Sequence, residues 1–166
     1  MRRLAAVSVG LMLGVVCLAA DDLTVNVDPR ADFTLFKTFA VNEGTIDSPR
    51  PELDNPLFAK KLRTTIRAAL TSRGLKQVTS QPDLLVDFIV TGEDINTTQR
   101  GGGRGIGPQP LRFTQGTLVI DLTRPGETAP VWRGTYRDDE ETGSKLVQSL
   151  PEDAKKLIDR YPKRKF

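Results

Sequence analysis

The segment most suggestive of a binding site is rich in glycine and arginine: residues 100–108 read Arg-Gly-Gly-Gly-Arg-Gly-Ile-Gly-Pro. Backbone N–H groups in such a segment can bind phosphate, but the phosphate-binding loop ends in Gly-Lys-Ser/Thr, and the sequence lacks this triplet. The dinucleotide-binding spacing G-x-G-x-x-G also fails, because counting from Gly103 places Pro108 at the third glycine. The pattern therefore favours a flexible connection between strands over residues 92–114, with Arg100 and Arg104 as candidate partner-binding residues.

Carboxylates are the second group that could do chemistry. Residues 138–141 form the acidic run Asp-Asp-Glu-Glu, and Asp87, Glu93 and Asp121 stand in or beside strand-like segments. Two converging carboxylates can hydrolyse a glycosidic bond, and adjacent ones can bind a hard cation. The acidic run does not have the spacing of an EF-hand loop, so it favours a solvated turn or favourable charge before a helix. No metal site and no cofactor are predicted.

The sequence contains no histidine, which removes the most common general base and the most common transition-metal ligand. The Ser-His-Asp, Cys-His and zinc-hydrolase templates therefore all fail. The single cysteine, Cys17, lies in the apolar N-terminal run, so a disulfide within the domain is excluded. No catalytic residue is predicted.

Trp132 and Tyr136 fall on one face of a predicted strand. The two rings could stack against a ligand, which makes them candidate binding residues. Packing in the core or on the sheet surface explains the same spacing, so both interpretations stay open.

Basic side chains are concentrated over residues 155–165, and they suggest a contact with a polyanion or wall polymer. The whole chain carries 24 Lys+Arg against 21 Asp+Glu, a formal charge of +3. Loss of Arg2 and Arg3 with a leader peptide would reduce the excess to +1. A near-neutral domain exerts little attraction on phosphate, so no nucleic-acid partner is predicted.

The N-terminal residues have the order of a secretory signal peptide. Arg2 and Arg3 precede residues 4–20, which contain no charged side chain, and the sequence becomes polar after them. Small residues at positions 17 and 19 favour cleavage after Ala19. We therefore expect a signal peptide over residues 1–19.

Two alternatives to simple cleavage stay open. Acylation of Cys17 would make the chain a lipoprotein, but the preceding Val16 is larger than the residue that usually stands there. An uncleaved anchor would also hold the chain at a membrane through its N-terminus. In each case we expect export, to the bacterial periplasm or to the outer membrane.

Two segments have the spacing of amphipathic helices. Residues 56–73 place apolar side chains on one face, with Asp54 or Asn55 as the cap and Gly74 as the stop. A second helix is predicted from Leu150 to Tyr161 with Pro151 in its first turn, and an earlier helical turn is an alternative start.

The remaining periodicity is that of strands. Strands are predicted over residues 23–27, 37–41, 83–91, 115–122 and 130–137, and residues 76–79 are a further candidate. Residues 20–166 are therefore expected to form a single α+β domain. Its predicted architecture is a two-layer sandwich: a mixed, mostly antiparallel sheet of five or six strands, with two helices packed on one face.

The order of several short motifs resembles a known family. They are Asp32-Phe33 with Phe36-Lys37-Thr38-Phe39-Ala40, Asn55-Pro56-Leu57, Pro82-Asp83-Leu84-Leu85-Val86, Gly116-Thr117-Leu118-Val119-Ile120-Asp121-Leu122, Val131-Trp132-Arg133-Gly134 and Tyr161-Pro162. In this order they resemble domain of unknown function 4136 (DUF4136) over residues 23–162. The resemblance implies an exported bacterial protein, often a lipoprotein, with a glycine-rich central loop and no established activity. The poor lipobox departs from the family pattern, as does Val41, where many members carry Trp.

The function predicted from these observations is a non-enzymatic binding or scaffolding module of the cell envelope, with an unidentified envelope protein or polymer as partner. One alternative is a hydrolase that uses carboxylates alone, which requires two of the acidic residues to meet in a cleft. The other is a module that binds polyanions or wall polymer through its Arg and Lys clusters.

Overall fold

The computed structural model describes residues 22–99, 109–140 and 142–162, with backbone only for residues 97–99 and 109–113. In this part of the chain, seven strands form one sheet and two helices pack on one of its faces. The predicted signal peptide and Cys17 lie outside the described residues. The elements are β1 (Asp22–Val27), β2 (Thr38–Val41), β3 (Thr45–Asp47), α1 (Pro56–Ser72), β4 (Lys76–Gln77), β5 (Leu84–Gln99), β6 (Gln109–Thr123), β7 (Pro130–Glu140) and α2 (Gly143–Ile158).

The strand order is β1-β7-β6-β5-β2-β4, and β3 pairs with β5 beyond the end of β2. The pairs β1–β7, β7–β6 and β6–β5 are antiparallel, whereas β2 and β3 run parallel to β5, and β4 runs parallel to β2. The predicted two-layer α+β sandwich with a mixed, mostly antiparallel sheet is therefore confirmed.

The sheet has one strand more than the upper limit of the prediction. The additional strand is β3, which lies outside every predicted strand. Its three residues are too few to show a period of two. Gly44, with a φ of 79°, turns the chain from β2 into β3. A Cβ at Gly44 would lie 2.2 Å from the ring of Phe88, so only glycine allows this close approach.

The predicted loop over residues 92–114 is too long. β5 continues to Gln99 and β6 begins at Gln109, and the register pairs these two residues at the end of a long hairpin. Residues 92–99 are mostly polar, so the alternation that predicts a half-buried strand is lost there, although the ladder of backbone hydrogen bonds continues.

α1 begins and ends as the sequence predicts. The side chain of Asn55 accepts a hydrogen bond of 2.8 Å from the N–H of Leu57, and Pro56 occupies the first turn. Gly74 has a φ of 91° and ends the helix, after which Leu75 packs back into the core. The buried face of α1 consists of Phe58, Leu62, Ile66, Ala69 and Leu70.

α2 begins seven residues before its predicted start, so Pro151 lies inside the helix rather than in its first turn. The hydroxyl of Thr142 accepts the N–H of Lys145 at 3.3 Å and caps the helix. The earlier turn is stabilised because Leu146 continues the buried stripe that includes Leu150. Neither α1 nor α2, the helices of the described part, is long and apolar enough to cross a membrane.

Candidate functional site

The face of the sheet opposite the helices is a broad polar surface. Along β5, β6 and β7 the side chains alternate: Val86, Ile120 and Tyr136 lie in the core beneath the helices, and their neighbours lie on the other face. We call this surface the open sheet face. Its members are Asp22, Thr24, Asn26, Thr45, Asp47, Leu85, Asp87, Ile89, Thr91, Glu93, Gln115, Thr117, Val119, Asp121, Arg133, Thr135, Arg137 and Asp139.

A row of β-branched residues crosses the middle of the open sheet face. The register aligns Thr45, Ile89, Val119, Thr135 and Thr24 on five neighbouring strands. Ile89 is 41% exposed, an unusually large exposed fraction for an isoleucine in the middle of a sheet. The row therefore places two apolar side chains, Ile89 and Val119, between two polar rows.

Ion pairs fix the polar rows. Arg133 donates from Nε and Nη2 to the two carboxylate oxygens of Asp121, at 2.6 Å each, and this hydrogen bonding raises the pKa of Arg133. Arg137 Nη1 lies 3.3 Å from an oxygen of Asp22. The side chain of Asn42 donates to Asp87 at 2.8 Å.

The open sheet face carries an excess of negative charge. Six carboxylates lie on it, at Asp22, Asp47, Asp87, Glu93, Asp121 and Asp139, against the two guanidinium groups of Arg133 and Arg137. The excess is four negative charges. This surface therefore favours a partner with a basic surface over a polyanion.

A buried polar cluster lies between β7 and α2. The side chain of Asp153 is 3% exposed, and one of its oxygens accepts a bond of 3.0 Å from Lys156. Burial raises the pKa of Asp153 to about 6, against the lowering effect of Lys156, and the nearby carboxylate of Asp138 raises it further. Lys156 also donates to the hydroxyl of Tyr136 at 3.2 Å, and Ser149 donates to Asp138 at 2.5 Å.

A shallow cavity of about 540 Å³ lies at one end of the sheet, where β6 turns into β7. Two local ion pairs, Arg30–Asp28 and Arg124–Glu127, occupy most of its polar groups. Their charges balance, so the two ion pairs give the cavity no net charge. It is lined by Asp28, Arg30, Arg124, Glu127, Ala129 and Pro130.

The structure places the two predicted aromatic residues in the core rather than on an open surface. Trp132 is 0% exposed and packs edge-to-face with Tyr161, with ring centroids 6.1 Å apart. Tyr136 is 2% exposed and lies under α2, beside Lys156. Their common face is the helix-facing side of β7, which leaves no room for a stacked ligand. The other two predicted binding residues, Arg100 and Arg104, lie outside the described residues.

The acidic residues that a hydrolase would need do not meet in a cleft. Asp87 and Asp121 are directly opposite each other in the register, but they lie on the open sheet face and Asp121 is bound by Arg133. The acidic run is not a turn, because Asp138 to Glu140 belong to β7, where Asp138 faces α2. Among the described residues, no group of three His, Cys, Asp or Glu side chains could hold a metal ion.

Asp153 was not among the candidates from sequence. It lies at a helix position between Glu152 and Ala154, where a carboxylate is normally exposed. Asp153 follows Leu150 by three residues and precedes Leu157 by four, so helical spacing places it on the buried stripe of α2. That spacing is the one signal in the sequence that could have identified it.

Comparison with known proteins identifies a family and a fold. The family model described as "Domain of unknown function (DUF4136)" matches residues 23–163. No curated protein sequence is significantly similar to this chain.

Among solved structures, a PDZ domain protein from Parabacteroides distasonis is 18% identical, with a TM-score of 0.59. The similar region covers 88% of this chain but only 36% of that protein. The PelC dodecamer from Paraburkholderia phytofirmans is 12% identical, with a TM-score of 0.52, and the similar region covers 82% of this chain and 95% of the PelC chain. A DUF4136 family protein from Bacteroides thetaiotaomicron is 14% identical, with a TM-score of 0.49, and the similar region covers 83% of this chain and 91% of that protein. At these identities the first two similarities establish the fold alone.

Proposed function

Because this chain belongs to the DUF4136 family, we propose that it is an exported, non-enzymatic binding or scaffolding protein of the cell envelope. The observation that supports this proposal is the open sheet face. It spans five strands, carries an exposed isoleucine, Ile89, at its centre and has no helix of the described residues on it. A rigid sheet that presents many side chains in register is suited to binding a surface rather than to enclosing a small substrate.

A protein with this fold can act as a scaffold by forming an oligomer. PelC, which shares the fold at a TM-score of 0.52, is a dodecamer. A chain of this architecture can therefore present its surfaces in a repeated array, which is one physical form of a scaffold.

The carboxylate hydrolase has less support. Catalysis by two carboxylates requires environments that separate their pKa values, in a cleft that holds the substrate. Asp153 has the raised pKa, but it is buried beneath α2, whereas Asp87 and Asp121 are on a broad surface. The polyanion module depends on two basic clusters, one at Arg100 and Arg104 and one near the C-terminus. The first cluster, and the part of the second beyond residue 162, lie outside the described residues.

Site-directed photo-crosslinking tests the proposed binding surface. A photoreactive phenylalanine analogue at Ile89, in the full chain expressed in its native envelope, should give one dominant adduct, identified by mass spectrometry. The same analogue at Glu127, which is exposed on the β6–β7 turn away from the open sheet face, is the control. Equal adducts from both positions, or none from Ile89, would contradict the proposal. Fractionation of the same cells tests the compartment, and recovery of the chain in the cytosol would refute export.

A further inference from the structure

The helix layer carries a charge opposite to that of the open sheet face. α1 contains Lys60, Lys61, Arg63 and Arg67 and no acidic residue. Arg63 is neutralised by an ion pair with Glu43. Lys60 and Lys61 are exposed and Arg67 is half-buried, and the ion pairs of the described residues include none of these three.

Four of the six carboxylates on the open sheet face are likewise without an ion pair in the described part of the chain. Arg133 and Arg137 neutralise Asp121 and Asp22. Those without an ion pair are Asp47, Asp87, Glu93 and Asp139, of which Asp87 and Asp139 each accept a hydrogen bond from a neutral side-chain amide. The two layers of one domain therefore present unpaired charges of opposite sign on opposite sides.

We infer that the open sheet face binds the α1 surface of a second copy of this chain, an inference that rests on the open sheet face being the binding surface. Such a contact uses both unpaired surfaces at once. An anionic membrane would bind α1 alone and would leave the acidic sheet face without a partner. The formal charge of +3 over the whole chain adds little repulsion between copies.

The dimensions of the two surfaces match. α1 has 17 residues and is therefore about 25 Å long at 1.5 Å per residue. The β5 part of the open sheet face, from Leu85 to Glu93, spans about 27 Å at 3.4 Å per residue. Each surface also has an exposed apolar residue, Ile89 at 41% on the sheet and Leu57 at 75% on α1. Leu57 shares a helix face with Lys61, one turn away.

A contact between two different surfaces of identical chains is heterologous. It leaves one free surface at each end of a pair, so assembly continues into a ring or an open array. A single helix on a sheet buries less than the roughly 800 Å² per partner of a standard interface, so the contact should be weak and depend on salt.

Charge reversal on each surface tests the inference. In K60E/K61E the α1 surface becomes acidic, and in D87K/E93K the open sheet face becomes basic. Sedimentation velocity of the full chain at about 0.05 M salt should show self-association of the unaltered protein that is lost at about 1 M salt. Each variant alone should stay monomeric. An equimolar mixture should associate again, because each acidic surface then meets a basic one.

The control variant R30E/K37E changes the net charge by the same amount as K60E/K61E, at two exposed residues outside both surfaces. It should self-associate like the unaltered protein. A monomer at roughly 100 µM and low salt, or a failure of the mixture to associate, would overturn the inference.

Cosedimentation with phosphatidylglycerol vesicles separates the membrane from the second copy. Binding that K60E/K61E abolishes, in a chain that stays monomeric, would assign α1 to an anionic membrane and overturn the inference. If self-association fails while the analogue at Ile89 still crosslinks a different envelope component, the proposed function stands and only its partner is wrong. If both fail, the open sheet face is not a binding surface.

Discussion

Replacement of Asp153 by asparagine should change how the stability of this protein depends on pH. Asp153 is buried between β7 and α2, with Lys156 on one oxygen and the carboxylate of Asp138 nearby. The other oxygen of Asp153, Oδ2, has no hydrogen-bond partner. Its charge is therefore only partly compensated, and the D153N variant retains the side-chain volume while removing that charge.

The sign of the effect follows from the direction of the pKa shift. The pKa of Asp153 is about 6 in the folded protein, against an ordinary value of 3.8 for an aspartate, so the folded state binds the proton more tightly. The stability gained from the protonated form is fully present below about pH 4 and is lost as the pH rises to about 6. A shift of this size corresponds to about 3 kcal/mol, which is the contribution of Asp153 that the unaltered protein should lose between pH 4 and pH 7.

The single tryptophan provides the assay. Trp132 is fully buried next to Tyr161, so its fluorescence should change on unfolding, and urea titrations at pH 4, 5, 6 and 7 give the free energy of unfolding at each pH. Relative to the unaltered protein, D153N should gain up to about 3 kcal/mol at pH 7 and nothing at pH 4. The loss of the contact with the half-exposed Lys156 should reduce this gain by at most about 1 kcal/mol.

The difference between the two proteins isolates Asp153 from the other carboxylates. Asp28, Asp32 and Asp83 have lowered pKa values, so they stabilise the fold at neutral pH and lose that effect only as the pH falls below about 4. D159N, at an exposed residue at the end of the same helix, is the matched control and should follow the unaltered protein. If D153N loses stability between pH 4 and pH 7 as the unaltered protein does, the reasoning is refuted.

Three further substitutions test local features by the same urea titration. D83A should cost about 1.5–3 kcal/mol. The Asp83 carboxylate accepts hydrogen bonds from two backbone N–H groups and a hydroxyl, each at 2.8 Å, and these bonds join β2 to the start of β5. An unchanged urea midpoint of unfolding would show that they contribute nothing. G126A should cost about 1 kcal/mol, because Gly126 has a φ of 84° but a Cβ there would lie in open space. G44A should cost a further 1–3 kcal/mol, about the usual penalty of overpacking, because a Cβ at Gly44 would meet the ring of Phe88. Equal losses in the two variants would mean that the ring moves away freely. N55A should cost about 1 kcal/mol by removing the cap of α1, and a loss below the error of the measurement would argue against that cap.

The parts of the fold that the sequence predicts are those in which burial leaves a periodic pattern. α1 carries its pattern, cap and stop in consecutive residues, and its predicted bounds agree with the structure to within one residue. β3 and the far half of β5 leave no such pattern, because one is too short and the other is polar on both faces. Their pairing depends on hydrogen bonds between backbone groups, and side-chain types do not encode those directly.

The buried charge of Asp153 has a different cause. A carboxylate in a helix is predicted to be exposed, and that expectation fails here because Lys156, one turn further, also reaches β7 and contacts Tyr136. Helical spacing alone places Asp153 on the buried stripe, three residues after Leu150 and four before Leu157. The spacing does not show that Asp138 lies beside its carboxylate, because that depends on the packing of α2 against β7.

Net charge is a poor guide to what this domain can bind, because the sum over the chain conceals where the charges lie. The near-neutral total argues correctly against a strong whole-molecule field, yet the carboxylates at Asp87, Glu93 and Asp121 share one parity along neighbouring strands. Parity alone therefore places them on one face, while the basic residues of α1 lie on the other layer. The open sheet face and the α1 surface are separated by a distance comparable to the Debye length of about 8 Å. Each surface therefore acts on a partner largely by itself. Recognition by this protein should accordingly depend on which face a partner approaches, and reversing charges on one face should leave binding at the other intact.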